Sequence, residues 1–175
     1  KISFINEVAS LCDRMGADVD NVRRGIGLDS RIGTQFLFPG IGYGGSCFPK
    51  DVRAMIDMGR RSSYPMRICE SVESVNNEQK TLLASRIVQH FGDHVAGKHI
   101  AVWGLAFKPQ TDDMREAPSI IIIERLLERG FSVAAFDPVA MDNARGIFGD
   151  KVTFVEDMYD VLQDADGLAI CTEWN

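Results

Sequence analysis

The residues best suited to chemistry lie between Gly40 and Asp51, where four glycines precede Cys47 and a Pro-Lys-Asp run follows it. Proline is favoured in the first turn of a helix, so this pattern predicts a helix that begins just after Cys47. The helix dipole stabilises a thiolate at that position, and Lys50 adds positive charge. Glycines let a ligand approach main-chain N–H groups closely. The stretch therefore suits a nucleophilic Cys47, with Asp51 one helical turn away to orient a water or take a proton.

A second interpretation of Cys47 stays open. Free cysteine is among the most buried residue types, so Cys47 also fits a structural residue that follows a glycine-rich turn. The other cysteines are scattered without a CxxC pair, which favours reduced thiols in a cytoplasmic protein over a disulfide framework or a zinc site. They are Cys12, Cys69 and Cys171. We expect no metal site.

Length and charge narrow the class of protein. The chain has 175 residues, enough for one domain or two small ones, and a net charge of −6 without a long basic run. These features argue against nucleic acid and anionic membranes as partners. The longest apolar run, Ile120 to Ile123, is too short to span a bilayer.

Helical periodicity fills the first half of the chain and predicts an α-helical domain over residues 1–91. Its last element is a long helix from Met66 to about Phe91. The middle of that helix, residues 76–80, is polar, which is typical of a helix that connects two domains. An ordinary bundle helix is the alternative.

The pattern changes from about residue 98, where short apolar runs alternate with helical segments. The runs predict strands at 99–103, 131–136, 152–155 and 167–171, and the segments between them predict helices at 118–128, near 141–148 and near 158–163. Such alternation predicts βαβ units and a parallel sheet. We therefore predict an incomplete Rossmann-like domain over residues 98–175, with a boundary near residues 92–97. The expected fold is an α-helical domain joined by a long helix to a truncated α/β domain.

The loop after the first strand, from Gly104 to Arg115, is the second candidate site, because α/β sheets bind ligands beyond the carboxyl ends of strands. It lacks the G-x-G-x-x-G pattern, so we expect no complete NAD site from this domain alone. Lys108 and Arg115 suit phosphate groups, although solvated surface charge is the common alternative. Asp137 fits a ribose-binding acid or, as we favour, a turn before Pro138.

Three motifs in this order resemble the nucleotide-sugar 6-dehydrogenases, and among them the UDP-glucose 6-dehydrogenases. The motifs are GGSCFPKD at 44–51, GLAFK with TDDMRE between 104 and 116, and ICTEW at 170–174. The resemblance implies a central helical domain and most of a C-terminal Rossmann-like domain. Enzymes of this family oxidise the sugar C6 alcohol to a carboxylate in two hydride transfers, using two NAD.

The resemblance also implies roles for individual residues. Cys47 is the nucleophile that forms a thiohemiacetal and then a thioester, and Asp51 assists water and proton movement. Lys50 and Arg115 lie near the NAD cofactor. The residues that match substrate contacts are Arg31, Phe38, Gly40, Tyr43, Gly44, Phe107 and Lys108.

Partners follow from the same resemblance: UDP-glucose as substrate, and a homodimer through the helical domain. The family's catalytic lysine and asparagine belong upstream of Lys1, so we expect the isolated chain to be inactive. Two alternatives stay open. One is a non-catalytic helical dimerisation and nucleotide-binding module, and the other is a dehydrogenase for GDP-mannose or UDP-N-acetylmannosamine.

Overall fold

The computed structural model describes residues 1–174, which form six α-helices and one four-stranded sheet. The helices are α1 (Ile2–Met15), α2 (Val19–Gly27), α3 (Phe48–Arg61), α4 (Arg67–Phe91), α5 (Pro118–Glu128) and α6 (Met141–Phe148). The strands are β1 (His99–Trp103), β2 (Ser132–Phe136), β3 (Thr153–Phe154) and β4 (Gly167–Ile170). The predicted fold class, helices followed by a parallel α/β sheet, is confirmed. None of the helices in the described residues is long and apolar enough to cross a membrane.

The chain divides into two compact units. The helical unit contains residues 1–42 and 50–79, and the α/β unit contains Tyr43–Pro49 and the chain from Lys80 onward. The division falls within α4, and the segment around Cys47 belongs to the α/β unit. The domains of residues 1–91 and 98–175 stay a prediction.

In the helical unit, local signals set the helix ends and a few polar contacts join the helices. Gly16 ends α1 in the left-handed conformation, with φ 69°, and Asp18 caps α2 by accepting a hydrogen bond from the Asp20 N–H. Ser3 of α1 donates a hydrogen bond of 2.9 Å to the Val72 carbonyl of α4. Ile5 is fully buried beside these contacts on α1.

In the α/β unit, the four strands are parallel and lie in the order β3-β2-β1-β4. The central strand β1 pairs from His99 opposite Ser132 to Trp103 opposite Phe136. Its middle residues 100–102 are fully buried, as expected for a parallel strand covered on both faces. Helix α5 begins at Pro118 and contributes Ile122, Ile123 and Leu126 to the buried core.

Two elements near the end are shorter than the apolar pattern predicts. Strand β3 has two residues, whereas the pattern extends over 152–155. The expected helical segment near 158–163 is a single 3₁₀ turn, Asp160–Leu162. The carboxylate of Asp157 accepts a hydrogen bond of 2.7 Å from the Tyr159 N–H, and such local bonds compete with helix formation.

Candidate active site

The α/β unit brings two segments into contact: the cysteine loop, residues Tyr43–Pro49, and the strand loop, residues 104–117, which connects β1 to α5. The strand loop lies at the carboxyl end of β1, where ligand sites of parallel sheets are found. Its first residues are fixed by side chains from two directions. The hydroxyl of Ser119 donates to the Leu105 carbonyl, and the hydroxyl of Thr172 donates to the Ala106 carbonyl.

Asp137 at the end of β2 completes this anchoring. One of its carboxylate oxygens accepts hydrogen bonds from the N–H groups of Leu105 and Ala106, at 2.6 and 3.2 Å. The other accepts from the N–H groups of Val139 and Ala140, at 2.9 and 2.8 Å. Asp137 is therefore a turn residue, as the sequence favoured, and not a ribose ligand. Since the amides of Leu105 and Ala106 bind this carboxylate, they are not available to a phosphate.

The glycines of the cysteine loop allow the two loops to approach closely. A Cβ atom at Gly44 would lie 2.2 Å from the Glu116 carbonyl oxygen, and one at Gly45 would lie 2.7 Å from the Phe107 ring. Gly45 also has φ +88°, which side chains disfavour, and its N–H donates a 2.8 Å hydrogen bond to the Arg115 carbonyl. Sequence reasoning expected free amides here, but the Gly45 amide holds the strand loop.

Cys47 follows this contact and directly precedes Phe48, the first residue of α3. It is exposed, and its sulfur lies 3.7 Å from the Ser46 hydroxyl oxygen. The ring of Tyr43 packs edge-on against Phe48, with 6.0 Å between the ring centroids. The predicted helix start after Cys47 is therefore present, and the thiol has both solvent access and a helix N-terminus beside it.

The strand loop also carries the charged side chains of Lys108 and Arg115. Arg115 donates two hydrogen bonds to the Asp113 carboxylate, at 2.9 and 2.8 Å. This pairing raises the pKa of Arg115, with a smaller contribution from the charge of Cys47, and it lowers the pKa of Asp113. Arg115 is thus a permanent cation close enough to Cys47 to interact with it electrostatically. Lys108 is exposed, and its ammonium lies over the Phe107 ring at 5.4 Å from the centroid.

The other predicted site residues lie in the helical unit. Arg31 is exposed and pairs with Asp29 at 2.6 Å, and Phe38 is exposed beneath the guanidinium of Arg23. The Gly40 N–H donates a hydrogen bond to the Asn6 side chain, and the Gly40 carbonyl accepts one from the Gln79 side chain. Lys50 and Asp51 form an ion pair of 3.3 Å. Lys50 was expected to support Cys47 by its charge, yet it forms an ion pair with its neighbour.

Sequence reasoning missed Lys80 and Glu116. It placed Lys80 in the polar middle of the long helix, whereas the Lys80 side chain is only 1% exposed and its ammonium lies 3.3 Å from the Glu116 carboxylate. Asn76 is buried as well. The i, i+4 spacing of Asn76 and Lys80 was the available signal, because it places both residues on one helix face. Within residues 1–174, no group of His, Cys, Asp and Glu side chains is arranged to hold a metal ion.

Comparison with known proteins places the chain in a family. Residues 1–78 match the central domain of the UDP-glucose/GDP-mannose dehydrogenase family, and residues 101–175 match the UDP binding domain of that family. The chain belongs to the UDP-glucose/GDP-mannose dehydrogenase family, as the resemblance had indicated.

Individual relatives agree with this assignment. The chain is 45% identical over 174 residues to UDP-glucose 6-dehydrogenase TuaD of Bacillus subtilis (strain 168), covering 99% of this chain and 38% of that protein. It is 46% identical over 179 residues to UDP-glucose 6-dehydrogenase of Pseudomonas aeruginosa, covering 99% of this chain and 40% of that protein. The chain thus spans about two fifths of these curated relatives.

A solved structure gives the same result. The UDP-glucose dehydrogenase from the archaeon Pyrobaculum islandicum superposes with a TM-score of 0.94 at 43% identity. The match covers 99% of this chain and 40% of that chain. The UDP-D-ManNAc dehydrogenase of Pyrococcus horikoshii, at 24% identity and a TM-score of 0.80, shares the fold.

The environments of the cysteines predict selective thiol chemistry. Cys47 is exposed and Cys12 is buried. Cys171 is half-buried as a residue, but desolvation of its thiol raises its pKa to about 12. A thiol with so raised a pKa is protonated at pH 8 and therefore reacts slowly. We expect iodoacetamide to modify Cys47 well before Cys12 and Cys171, as measured by mass spectrometry of tryptic peptides over time.

The control for this prediction is the same reaction in denaturant, where all four thiols should react at similar rates. Equal rates for Cys47 and Cys12 in the native protein would contradict the exposed site and favour a structural Cys47.

Proposed function

We propose that this chain is the central and UDP-binding part of an NAD-dependent UDP-glucose 6-dehydrogenase that oxidises UDP-glucose to UDP-glucuronate in two hydride transfers. The observation that carries the proposal is the exposed Cys47, which directly precedes a helix N-terminus. Glycines allow its loop to pack closely against the strand loop, which bears Lys108 and Arg115. The names of the relatives support the choice of substrate.

NAD fits this chain only in part. Lys50 and Arg115 are exposed cations, with 72% and 70% of their side-chain surface accessible, and such groups suit the negative phosphates of a dinucleotide. The amide groups that cradle a pyrophosphate in a Rossmann fingerprint have no counterpart at Leu105 and Ala106, because Asp137 binds both. The chemistry that NAD supplies when bound is the acceptance of one hydride in each of the two oxidations.

The proposed role of Cys47 is covalent. After the first oxidation, its thiolate adds to the C6 aldehyde and forms a thiohemiacetal. The second oxidation leaves a thioester, and water then releases the carboxylate and frees the thiol. The attack requires the thiolate form of a cysteine, and Cys47 lies directly before the N-terminus of α3. Asp51 is proposed to orient the water or take its proton.

The proposed nucleotide contacts centre on the strand loop. The ring of Phe107 is partly exposed, and the exposed ammonium of Lys108 lies above it. Such a pair suits contact with the diphosphate or the ribose of a nucleotide. Tyr43 and Gly44 of the cysteine loop lie in the same unit. We include Arg31, Phe38 and Gly40 of the helical unit as substrate contacts on the strength of the motif alone.

Nucleotide binding can be tested at Lys108. Lys108→Ala should weaken binding of UDP to the whole protein by about 1–3 kcal/mol, because a charge-assisted contact to phosphate is lost. Isothermal titration calorimetry measures the effect. Lys151→Ala, which removes another exposed lysine of the same unit, serves as the matched control and should bind like the parent. Equal affinities for all three proteins would remove Lys108 from the site.

A further prediction concerns assembly, for which we propose a homodimer through the helical unit. Apolar side chains of α1 and α4 are exposed there, among them Phe4, Met15 and Ile68, which is 81% exposed. An aspartate at such a position opposes burial in an interface. Ile68→Asp should therefore shift the protein towards monomer in sedimentation velocity at micromolar concentration.

The matched control for the assembly test is Met58→Asp, at an exposed apolar position on α3 of the same unit. It should leave the dimer intact. A parent protein that sediments as a monomer at tens of micromolar would refute the proposed homodimer.

Another prediction concerns the nucleophile. Cys47→Ser in the whole protein should stop completion of the four-electron oxidation, because a serine alkoxide is much harder to form near neutral pH than a thiolate. UDP-glucose binding should survive, since the loops and their cations are kept. The measurement is the yield of NADH per UDP-glucose with identification of the sugar product. Release of UDP-glucuronate at the parental rate would show that Cys47 is structural.

Asp51→Asn should slow turnover while leaving Cys47 reactive. The expected loss is about 10²–10⁴-fold in kcat, the usual contribution of a general acid or base. Asp57→Asn on the same helix, where Asp57 pairs with Arg61, is the matched control and should keep the parental kcat. A parental kcat in Asp51→Asn would exclude the proposed role.

A further inference from the structure

The Lys80 side chain is almost completely buried, with only 1% of its surface accessible. A buried charge is costly unless it is paired, and replacing a buried ion pair by apolar groups is often neutral or stabilising. Stability alone is thus a weak reason for a lysine at this position. Its partner is the carboxylate of Glu116, 3.3 Å away and 38% exposed.

Glu116 is an unusual residue in the strand loop. Its φ of 56° lies in the left-handed region, which residues other than glycine seldom adopt. Such a conformation persists only where surrounding contacts hold it. The ion pair with Lys80 is one of these contacts, and it ties the end of the strand loop to α4.

The backbone of residues 115 and 116 is also the surface on which the cysteine loop rests. The Glu116 carbonyl faces Gly44 with no room for a Cβ atom, and the Arg115 carbonyl accepts the hydrogen bond from Gly45. A shift of Glu116 would therefore displace both the cysteine loop and its neighbour Arg115. The guanidinium of Arg115 interacts electrostatically with Cys47, so such a shift changes the surroundings of the thiol.

We propose that Lys80 is a positioning residue that acts on Cys47 through the backbone of Glu116. Lys80 does not touch the reacting atoms in this scheme. It fixes the distance between the thiol and the Arg115 guanidinium by holding the strand loop against the cysteine loop. The inference rests on the proposed role of Cys47 as the nucleophile.

The test uses three variants of the whole protein. Lys80→Met removes the ammonium and keeps a side chain of similar length, while Lys80→Arg keeps the charge. Lys98→Met is the matched control, since Lys98 forms an ion pair with Asp166 in the same unit but precedes β1, at the opposite end of that strand from the strand loop. Glu116→Gln removes the same ion pair from the other partner. Because the Glu116 side chain is 38% exposed, we expect this variant to fold even if Lys80→Met does not.

The first readout is the iodoacetamide rate of Cys47, followed on the tryptic peptide of residues 32–50, which contains no other cysteine. Lys80→Met and Glu116→Gln should slow this reaction by about two- to fivefold, the effect of losing one exposed charge interaction at the thiolate. Lys80→Arg should recover most of the parental rate, and Lys98→Met should match the parent.

The second readout is steady-state kinetics with UDP-glucose and NAD. Misplacing a nucleophile costs on the order of ten- to a hundredfold in rate, so Lys80→Met should lower kcat and leave KM for UDP-glucose nearly unchanged. A purely structural Lys80 would change the melting temperature and leave both the alkylation rate and kcat at parental values.

The outcomes separate this inference from the proposed function. If Lys80→Met and Glu116→Gln both fold and Cys47 is alkylated at the parental rate in each, the positioning role is refuted. This conclusion holds whichever reaction the enzyme catalyses. Should Cys47→Ser still produce UDP-glucuronate, the proposed mechanism fails, while the alkylation rates still report whether Lys80 positions the thiol. Slower alkylation in Lys80→Met together with recovery in Lys80→Arg supports the inference.

Discussion

The contact of the cysteine loop with the strand loop depends on the absence of side chains at Gly44 and Gly45. The backbone of Glu116 and the ring of Phe107 occupy the space that a Cβ atom would need at these positions. Because van der Waals repulsion is steep at these separations, any larger residue would push the loops apart. Backbone packing therefore sets how the cysteine loop lies on the strand loop, and the hydrogen bond from the Gly45 N–H to the Arg115 carbonyl fixes the register of the two loops.

Each charge near this contact has a defined partner that limits where it can act. Arg115 is held by Asp113, Lys80 by Glu116, and the Asp137 carboxylate by backbone amides of the strand loop. The ammonium of Lys108 lies instead over the ring of Phe107. A preorganised arrangement of this kind reduces the reorganisation that a reacting group must undergo, which is how polar surroundings favour catalysis in enzymes.

The sequence predicted the elements well where one signal dominated. The buried run of β1 and the proline at the start of α5 gave both bounds as observed, because local pattern and tertiary packing agree there. It failed where distant residues decide. The polar residues 76–80 predicted a helix that connects two domains and gave no sign that Lys80 is buried, because its countercharge comes from Glu116 on another part of the chain. The glycines of the cysteine loop were assigned to ligand approach, and their contact with residues 115–117 required knowledge of the tertiary structure.

The cysteine loop and the strand loop are far apart along the chain, and this separation has a consequence for how the protein folds. Contacts between distant segments form only after the entropy cost of closing a large loop has been offset by other native interactions. Until the sheet and α5 are assembled, Cys47 has neither the Gly45 hydrogen bond nor the nearby guanidinium, and its thiol behaves like any other in an unfolded polypeptide. The surroundings that distinguish the Cys47 thiol from the other cysteines therefore arise only together with the native state.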